Sequence, residues 1–257
     1  MTISRRSVLL GALSATLVAA CDPARRGRAG APSTAAPSLP PAPSTTQPTT
    51  TAVTAAPAGP ARFIKSGPDR NQIALTFHGS GDPTLAARLL DEARRSGAPI
   101  TVFAVGQWLV ENPTMAQTLE TAGHELANHT YTHPALRSVS RSTLVSEITR
   151  CRDVLQQETG STGRWFRPSG TDEPTQAMLE EAGAAGYSVV VGYDVDPLDY
   201  QDPGAAAIVE RVGAGLHPGA VVSLHTGHAG TVTAFGPIVA DIRRAGFQPV
   251  LLRDLLA

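Results

Sequence analysis

The sequence predicts an α/β domain built on a parallel sheet, and three observations predict it. From about Arg62 onward, short apolar runs alternate with longer segments of helical periodicity, and no linker interrupts them. Glycines follow four of the helical segments, at Gly97, Gly123, Gly186 and Gly246, where a left-handed residue closes a helix. Five of the seven histidines (His78, His129, His133, His225 and His228) lie just beyond predicted strands. That is the end at which α/β folds present polar residues to ligands.

The first strand is expected over 72–77, and it runs out at His78. A helix follows at Pro83–Ser96, with Pro83 suited to a first helical position and Asp82 before it as a cap. A strand over 100–104 leads to a helix over 113–122, and a strand at Glu125–Asn128 leads to a long helix over 142–158. In that helix Ser142 is a candidate N-cap, and Leu144, Ile148, Val154 and Leu155 keep one apolar face. Helix 175–185, strand 188–191, helix 205–212, strand 221–224, helix 232–245 and strand 248–251 complete the alternation. Strand–helix alternation implies right-handed crossovers between parallel strands.

The 257 residues, 42% hydrophobic and 17% charged, suffice for one domain of ordinary to large size. A formal net charge of −1 and the lack of any block of like charge argue against a nucleic-acid partner. Two cysteines are too few for a disulfide scaffold or a Cys-rich zinc module. Cys151 falls within a helical pattern and reads as a buried thiol.

The N-terminal 61 residues have another texture. Residues 1–21 read as an export signal: Arg5 and Arg6 supply its positive start, and the apolar stretch from Val8 to Ala20 is too short to span a bilayer. The segment around Arg5-Arg6 resembles a twin-arginine signal. Val18-Ala19-Ala20-Cys21 resembles a lipobox, so Cys21 is expected to be lipidated, which places the mature chain on the outer side of the cytoplasmic membrane; the alternative is an ordinary cleaved signal with an incidental Cys and a secreted chain. Residues 22–61 read as a disordered tether. Twenty-six of the thirty residues from Ala31 to Pro60 are Pro, Thr, Ala or Ser, too little apolar surface to offset ordering entropy. The folded domain is expected at 62–257.

His129-Thr130-Tyr131-Thr132-His133 is the sharpest chemical signal, because four-residue spacing can bring two imidazoles to one metal. It is not a metalloprotease H-E-x-x-H, since Thr130 stands where the glutamate belongs. The segment from Gly123 to Pro134 (GHELANHTYTHP) closely resembles the second motif of polysaccharide deacetylases, the NodB-type carbohydrate esterase family 4. Further likenesses follow in order: TVFAVG from Thr101, RWFRPSG from Arg164, DPLDY from Asp196 and SLH from Ser223. The resemblance covers roughly 70 to 257.

That resemblance implies an irregular (β/α) barrel of about seven strands with its active face at the strand C-termini. It also implies a divalent metal, usually zinc, on two His and one Asp. Water activated on the metal attacks an N-acetyl group of a glycan such as N-acetylglucosamine, releasing acetate and a free amine. Carried over, His129 and His133 are metal ligands, His225 is the general acid and Asp199 orients it. Arg167 orients the base, a backbone N–H near Gly170 holds the oxyanion, and Tyr200 shapes a slot for the acetyl methyl. His124 and His217 are expected to be structural, and His228 to be at most a substrate contact.

The first motif departs from the family. Where the family has Thr-Phe-Asp-Asp-Gly, this chain has Thr76-Phe77-His78-Gly79-Ser80. His78 replaces the base, and Gly79, which has no donor atom, replaces the third ligand. Asp82 is expected to fold back as the third ligand, with His78 as base. The alternative is a three-His site in which His78 binds metal and Asp82 is the base. Two classes of function remain: a metal-dependent de-N-acetylase acting on envelope glycan, and a non-catalytic member that binds such glycan.

Overall fold

The computed structural model describes residues 59–257; the export signal, Cys21 and the tether up to residue 58 lie outside the described residues. The domain begins slightly before the expected Arg62. Ala61 is buried and donates its N–H to Leu179 O at 2.8 Å.

The elements in chain order are β1 (Arg62–Ile64), β2 (Gln72–Gly79), α1 (Pro83–Ser96), β3 (Thr101–Ala104), α2 (Gly106–Glu111), α3 (Met115–Thr121) and β4 (Glu125–Asn128). They continue as α4 (Arg141–Thr159), α5 (Gln176–Ala184), β5 (Val189–Val191), α6 (Ala205–Ala214), β6 (Val221–His225), α7 (Ala229–Arg244), β7 (Gln248–Val250) and α8 (Leu252–Leu255). One-turn 3₁₀ helices lie at Leu136–Ser138 and Asp199–Gln201. Among the described residues no helix is long and apolar enough to cross a membrane.

All strand pairs are parallel, in the order β4-β3-β2-β6. β2 is the hub. β6 pairs along one edge, while β7 and then β3 share the other. Single-residue bridges at Phe166, to Asn128 and Val190, carry the order from β4 to β5, and a bridge from Val195 to Val222 returns it to β6. β1 pairs with β5. This is the irregular (β/α) barrel: seven strands among the described residues, joined around the ring partly by isolated bridges.

The strands read as continuous apolar runs because both faces are covered. Along β2, Ile73, Leu75 and Phe77 pack outward against Leu89, Phe235 and Ile238 of the surrounding helices. Ala74 belongs instead to the inner cluster with Phe103, Ala127, Trp165, Val191 and Val221. Successive side chains alternate, so Thr76 and His78 follow Ala74 onto the inner face. His78 therefore emerges at the C-terminal mouth, in register with Phe103 on β3 and His225 on β6.

The four glycines read as helix ends all have positive φ: Gly97 at 56°, Gly123 at 80°, Gly186 at 103° and Gly246 at 87°. The N-cap of α4 is Ser140, whose hydroxyl accepts from Thr143 N, two residues before the expected Ser142. Cys151 is buried as expected, and burial pushes its thiol up to about 12.

Candidate functional site

The histidine loop after β4 is held from both sides. Its carbonyls at Thr130 and Tyr131 accept from Gly106 N (2.9 Å) and Gln107 N (2.8 Å), the first N–H groups of α2. These are donors that a helix start leaves without intrahelical partners. Gly106 permits the approach, since a Cβ there would lie 2.8 Å from Tyr131 and 3.1 Å from Cys151 Cα. On the other side the buried Glu147 accepts Tyr131 N (2.8 Å), Thr132 N (2.7 Å) and Thr132 Oγ1 (2.7 Å). Asn128 Oδ1 accepts Thr130 N at 2.9 Å. Thr130 and His133 have φ of 70° and 61°, uncommon for non-glycine residues and sustained by this framework.

The loop brings His129 Nε2 within 3.1 Å of His133 Nε2. His129 Nδ1 lies 2.9 Å from Arg167 O, to which it donates its proton, leaving Nε2 as a lone-pair donor for a metal. His78 completes the set: one ring nitrogen from each of His78, His129 and His133 lies within 4.8 Å of the others. The His78 and His129 ring centroids are 4.3 Å apart. Burial, reinforced by the neighbouring histidines, holds His78 and His129 well below the usual imidazole range and lowers His133. Neutral imidazoles are the form that binds metal, so the donor set fits a divalent cation such as zinc.

Asp82 differs from expectation. It is exposed, its Oδ1 accepts Thr84 N at 2.8 Å as the N-cap of α1, and it is absent from the histidine cluster. Pro83 at the helix start favours this local role over a fold back into the mouth. His78, expected as base, stands instead with the two other imidazoles. Gly79 cannot take the third ligand's place unaided. A Cβ there would meet Val102 Cγ1 at 2.7 Å and Ala104 Cα at 3.1 Å.

Arg167 also departs from expectation. Fully buried, it donates to Val191 O (3.1 Å), Gly192 O (2.9 Å) and Thr76 Oγ1 (3.0 Å), and it lies over the Phe103 ring at 4.0 Å. No base accepts from it; its Nη1 has no hydrogen-bond partner among the described residues. Burial lowers its pKa to about 9, still leaving it protonated at neutral pH.

The opposite wall carries an oriented imidazole. His225 Nδ1 lies 2.7 Å from Asp199 Oδ1, and Asp199 Oδ2 accepts both His225 N (2.8 Å) and Thr231 Oγ1 (2.5 Å). Asp199 is fully buried. The His78 and His225 rings are 4.4 Å apart, and the half-exposed Tyr200 ring lies 5.3 Å from His225. Gly170 also lines the mouth; its φ of 65° and a Cβ position 2.8 Å from Ala135 Cα reserve the site for glycine. His78, His133, Gly170, Tyr200 and His225 all line one cavity of about 770 Å³. Ser223 Oγ sits 3.3 Å from His78 Nε2. His124 is buried with Nδ1 accepting Ile100 N (3.3 Å), and His217 pairs with Asp194 (2.9 Å), structural roles as expected.

Glu147, Thr76 and Thr231 were not singled out from sequence. Only Glu147 left a signal there: a carboxylate three residues after Leu144 and one before Ile148, inside the apolar face of α4. Replacing Glu147 with Gln is expected to weaken divalent-metal binding by about 10- to 100-fold, the usual effect of losing a residue that orients ligands. Chelator competition measures it, and unchanged affinity would show that the loop holds itself.

An α/β barrel whose mouth joins three converging imidazoles to a carboxylate-oriented histidine defines a hydrolase-type centre. Residues 65–190 match the polysaccharide deacetylase family. The peptidoglycan-N-acetylglucosamine deacetylase of Bacillus cereus is 30% identical over 194 residues, covering 72% of this chain and 87% of that protein. The chitooligosaccharide deacetylase of a Bradyrhizobium species is 30% identical over 192 residues, covering 68% and 86%. Among solved structures, a mutant of BA3943, a CE4 family pseudoenzyme with restored enzymatic activity, superposes with a TM-score of 0.72 at 25% identity, covering 76% of this chain and 71% of that one. The chain belongs to the polysaccharide deacetylase family and is a polysaccharide deacetylase-like hydrolase.

Proposed function

We propose that the chain is a metal-dependent de-N-acetylase of envelope glycan, with zinc held by His78, His129 and His133. The observation that carries this reading is the clustering of those three imidazoles at a cavity that His78 and His133 line together with His225, whose ring Asp199 holds from behind. Three histidines suit a catalytic zinc, which needs an open position beside its protein ligands. Bound there, zinc supplies Lewis acidity that polarises an acetamide carbonyl and lowers the pKa of water.

The chain's own residues do the rest. Asp199 fixes the His225 tautomer with the proton on Nδ1. Nε2 is then the atom that passes a proton to the departing amine nitrogen. A backbone N–H near Gly170 would hold the carbonyl oxygen, and Tyr200 would give the acetyl group an apolar wall. Arg167 ties the inner face of β2 to β5 and keeps positive charge beneath the mouth. The named activities of the two relatives point to N-acetylglucosamine-type sugars as substrate.

The test is metal content and acetate release by the purified protein on N-acetylated chitooligosaccharide and on peptidoglycan. Stoichiometric zinc with acetate released supports the reading. Zinc and tight glycan binding without acetate would favour the second reading, a non-catalytic glycan-binding lipoprotein. That reading draws on the altered first motif and on the pseudoenzyme among the structural neighbours.

Exported and lipidated at Cys21, the domain would reach envelope glycan on a Pro- and Thr-rich tether. Cys21→Ala is expected to move the protein from the membrane fraction to the soluble one; a wild type soluble after export would sink this assignment.

A further inference from the structure

The first motif brings no carboxylate to the mouth of the barrel, yet abstraction of a proton from water near neutral pH needs a base. Three acidic side chains line the cavity: Asp172, Asp194 and Asp196. Asp194 is already engaged, with Oδ1 accepting Val221 N (2.9 Å) and Oδ2 pairing with His217 (2.9 Å). Asp172 is exposed, on the loop before α5.

Asp196 is different. It is partly buried, and its Oδ1 accepts Leu198 N at 2.9 Å, which fixes the side chain without consuming it. Its Oδ2 makes no hydrogen bond among the described residues. The backbone beside it is anchored: Val195 bridges Val222, and Val195 O accepts Ser223 N at 2.9 Å. Asp196 thus leaves the barrel at the level of Ser223, two residues before His225 on the neighbouring strand. The charges acting on it are His225 from β6, Asp199 from the following turn and Arg167 from the barrel floor. Tyr193, on its own segment, is close enough to feel its charge. Burial raises its carboxyl, the direction that makes it a stronger base.

We propose that Asp196 is the general base of this chain, supplying from the fourth motif the carboxylate that the first motif lacks. The assignment rests on the deacetylase reading above. Asp196 Oδ2 takes one proton from water as the water oxygen bonds to the acetamide carbon, and the carbonyl π pair moves to oxygen. The C–N bond then breaks; nitrogen keeps the electron pair and receives a proton from His225 Nε2. The oxyanion pair re-forms the carbonyl, so acetic acid and a free amine leave; the acid ionises to acetate by releasing the second water proton, Asp196 returns its proton to solvent, and His225 regains one.

The experiment compares zinc-loaded wild-type protein with Asp196→Asn and Asp196→Ala on N-acetylated chitooligosaccharide. Asparagine keeps the size and can still accept Leu198 N. Expected for Asp196→Asn are a kcat about 10²- to 10⁴-fold lower, KM nearly unchanged, zinc affinity by chelator competition within about twofold of wild type, and loss of the acidic limb of the pH–kcat profile. Added formate should restore part of the turnover of Asp196→Ala. Turnover of Asp196→Asn within about threefold of an active wild type, a small fraction of the effect expected for a base, overturns the base assignment alone. Loss of zinc in that variant overturns it too, by showing a structural role. A zinc-loaded wild type that releases no acetate overturns the deacetylase reading and the assignment with it.

Discussion

Replacing His78 with Ala is expected to strip the metal and lower turnover by about 10³-fold, since the Lewis acidity lost is worth several kcal/mol. The geometry motivates this: His78 is the third imidazole of a cluster that His129 and His133 cannot complete as a pair. Asp82→Ala is the control. It should keep full metal content and cost only about 1 kcal/mol of stability, the usual loss from an emptied N-cap. Elemental analysis distinguishes the outcomes; metal retained in His78→Ala and lost in Asp82→Ala would restore the two-His-one-Asp arrangement.

The same cluster gives the metal-free protein a signed pH dependence. Folding lowers the affinity of His78, His129 and His133 for protons. Below about pH 6.5, where unfolded imidazoles begin to titrate, the unfolded chain binds more protons than the folded one. Stability is therefore complete above that pH and falls as pH drops toward the folded values. Thermal unfolding from pH 8 to pH 5 should show a falling midpoint, with a shallower fall in His78→Ala. An unchanged slope would mean that His78 is not held neutral by the fold.

The sequence displayed the alternation well, because β2, β3 and β4 are buried on both faces and α1 carries a strong apolar stripe. Pro83–Ser96 and Glu125–Asn128 have the bounds that periodicity and glycine punctuation indicated. α2 was missed for physical reasons. It has six residues, begins at a glycine and has no side-chain cap, so its stability comes from packing on the histidine loop and α4. β1, three residues long, exists only as a partner of β5. At the site, motif order brought His129, His133, Asp199 and His225 into view. It misjudged Asp82, because a carboxylate before Pro83 gains more from capping the helix beside it than a linear motif can express. Arg167 illustrates the same limit. No carboxylate stands at position 78, and the guanidinium donates instead through Nε and Nη2 to Val191 O, Gly192 O and Thr76 Oγ1, with Nη1 left without a partner among the described residues.

Removing His225 should leave the metal in place and still cost about 10²- to 10⁴-fold in turnover, the range for losing a general acid. Its Nδ1 is tied to Asp199 at 2.7 Å, and its backbone N–H is tied to the other oxygen of the same carboxylate at 2.8 Å, so ring and strand are fixed by one buried anion. A group held this rigidly, its ring centroid 4.4 Å from that of His78, is placed to act on whatever the three imidazoles bind. Asp199→Asn tests the pairing more sharply than deletion does. An amide can still accept from Thr231 and from the backbone, but it no longer holds the His225 Nδ1 proton with a carboxylate oxygen, so the ring's orientation is loosened while the fold is largely kept. Both variants should carry wild-type zinc by elemental analysis and release acetate slowly, and both should lose least on an activated aryl ester, whose leaving group needs no proton. Equal losses on amide and ester would show that His225 shapes the cavity and transfers no proton.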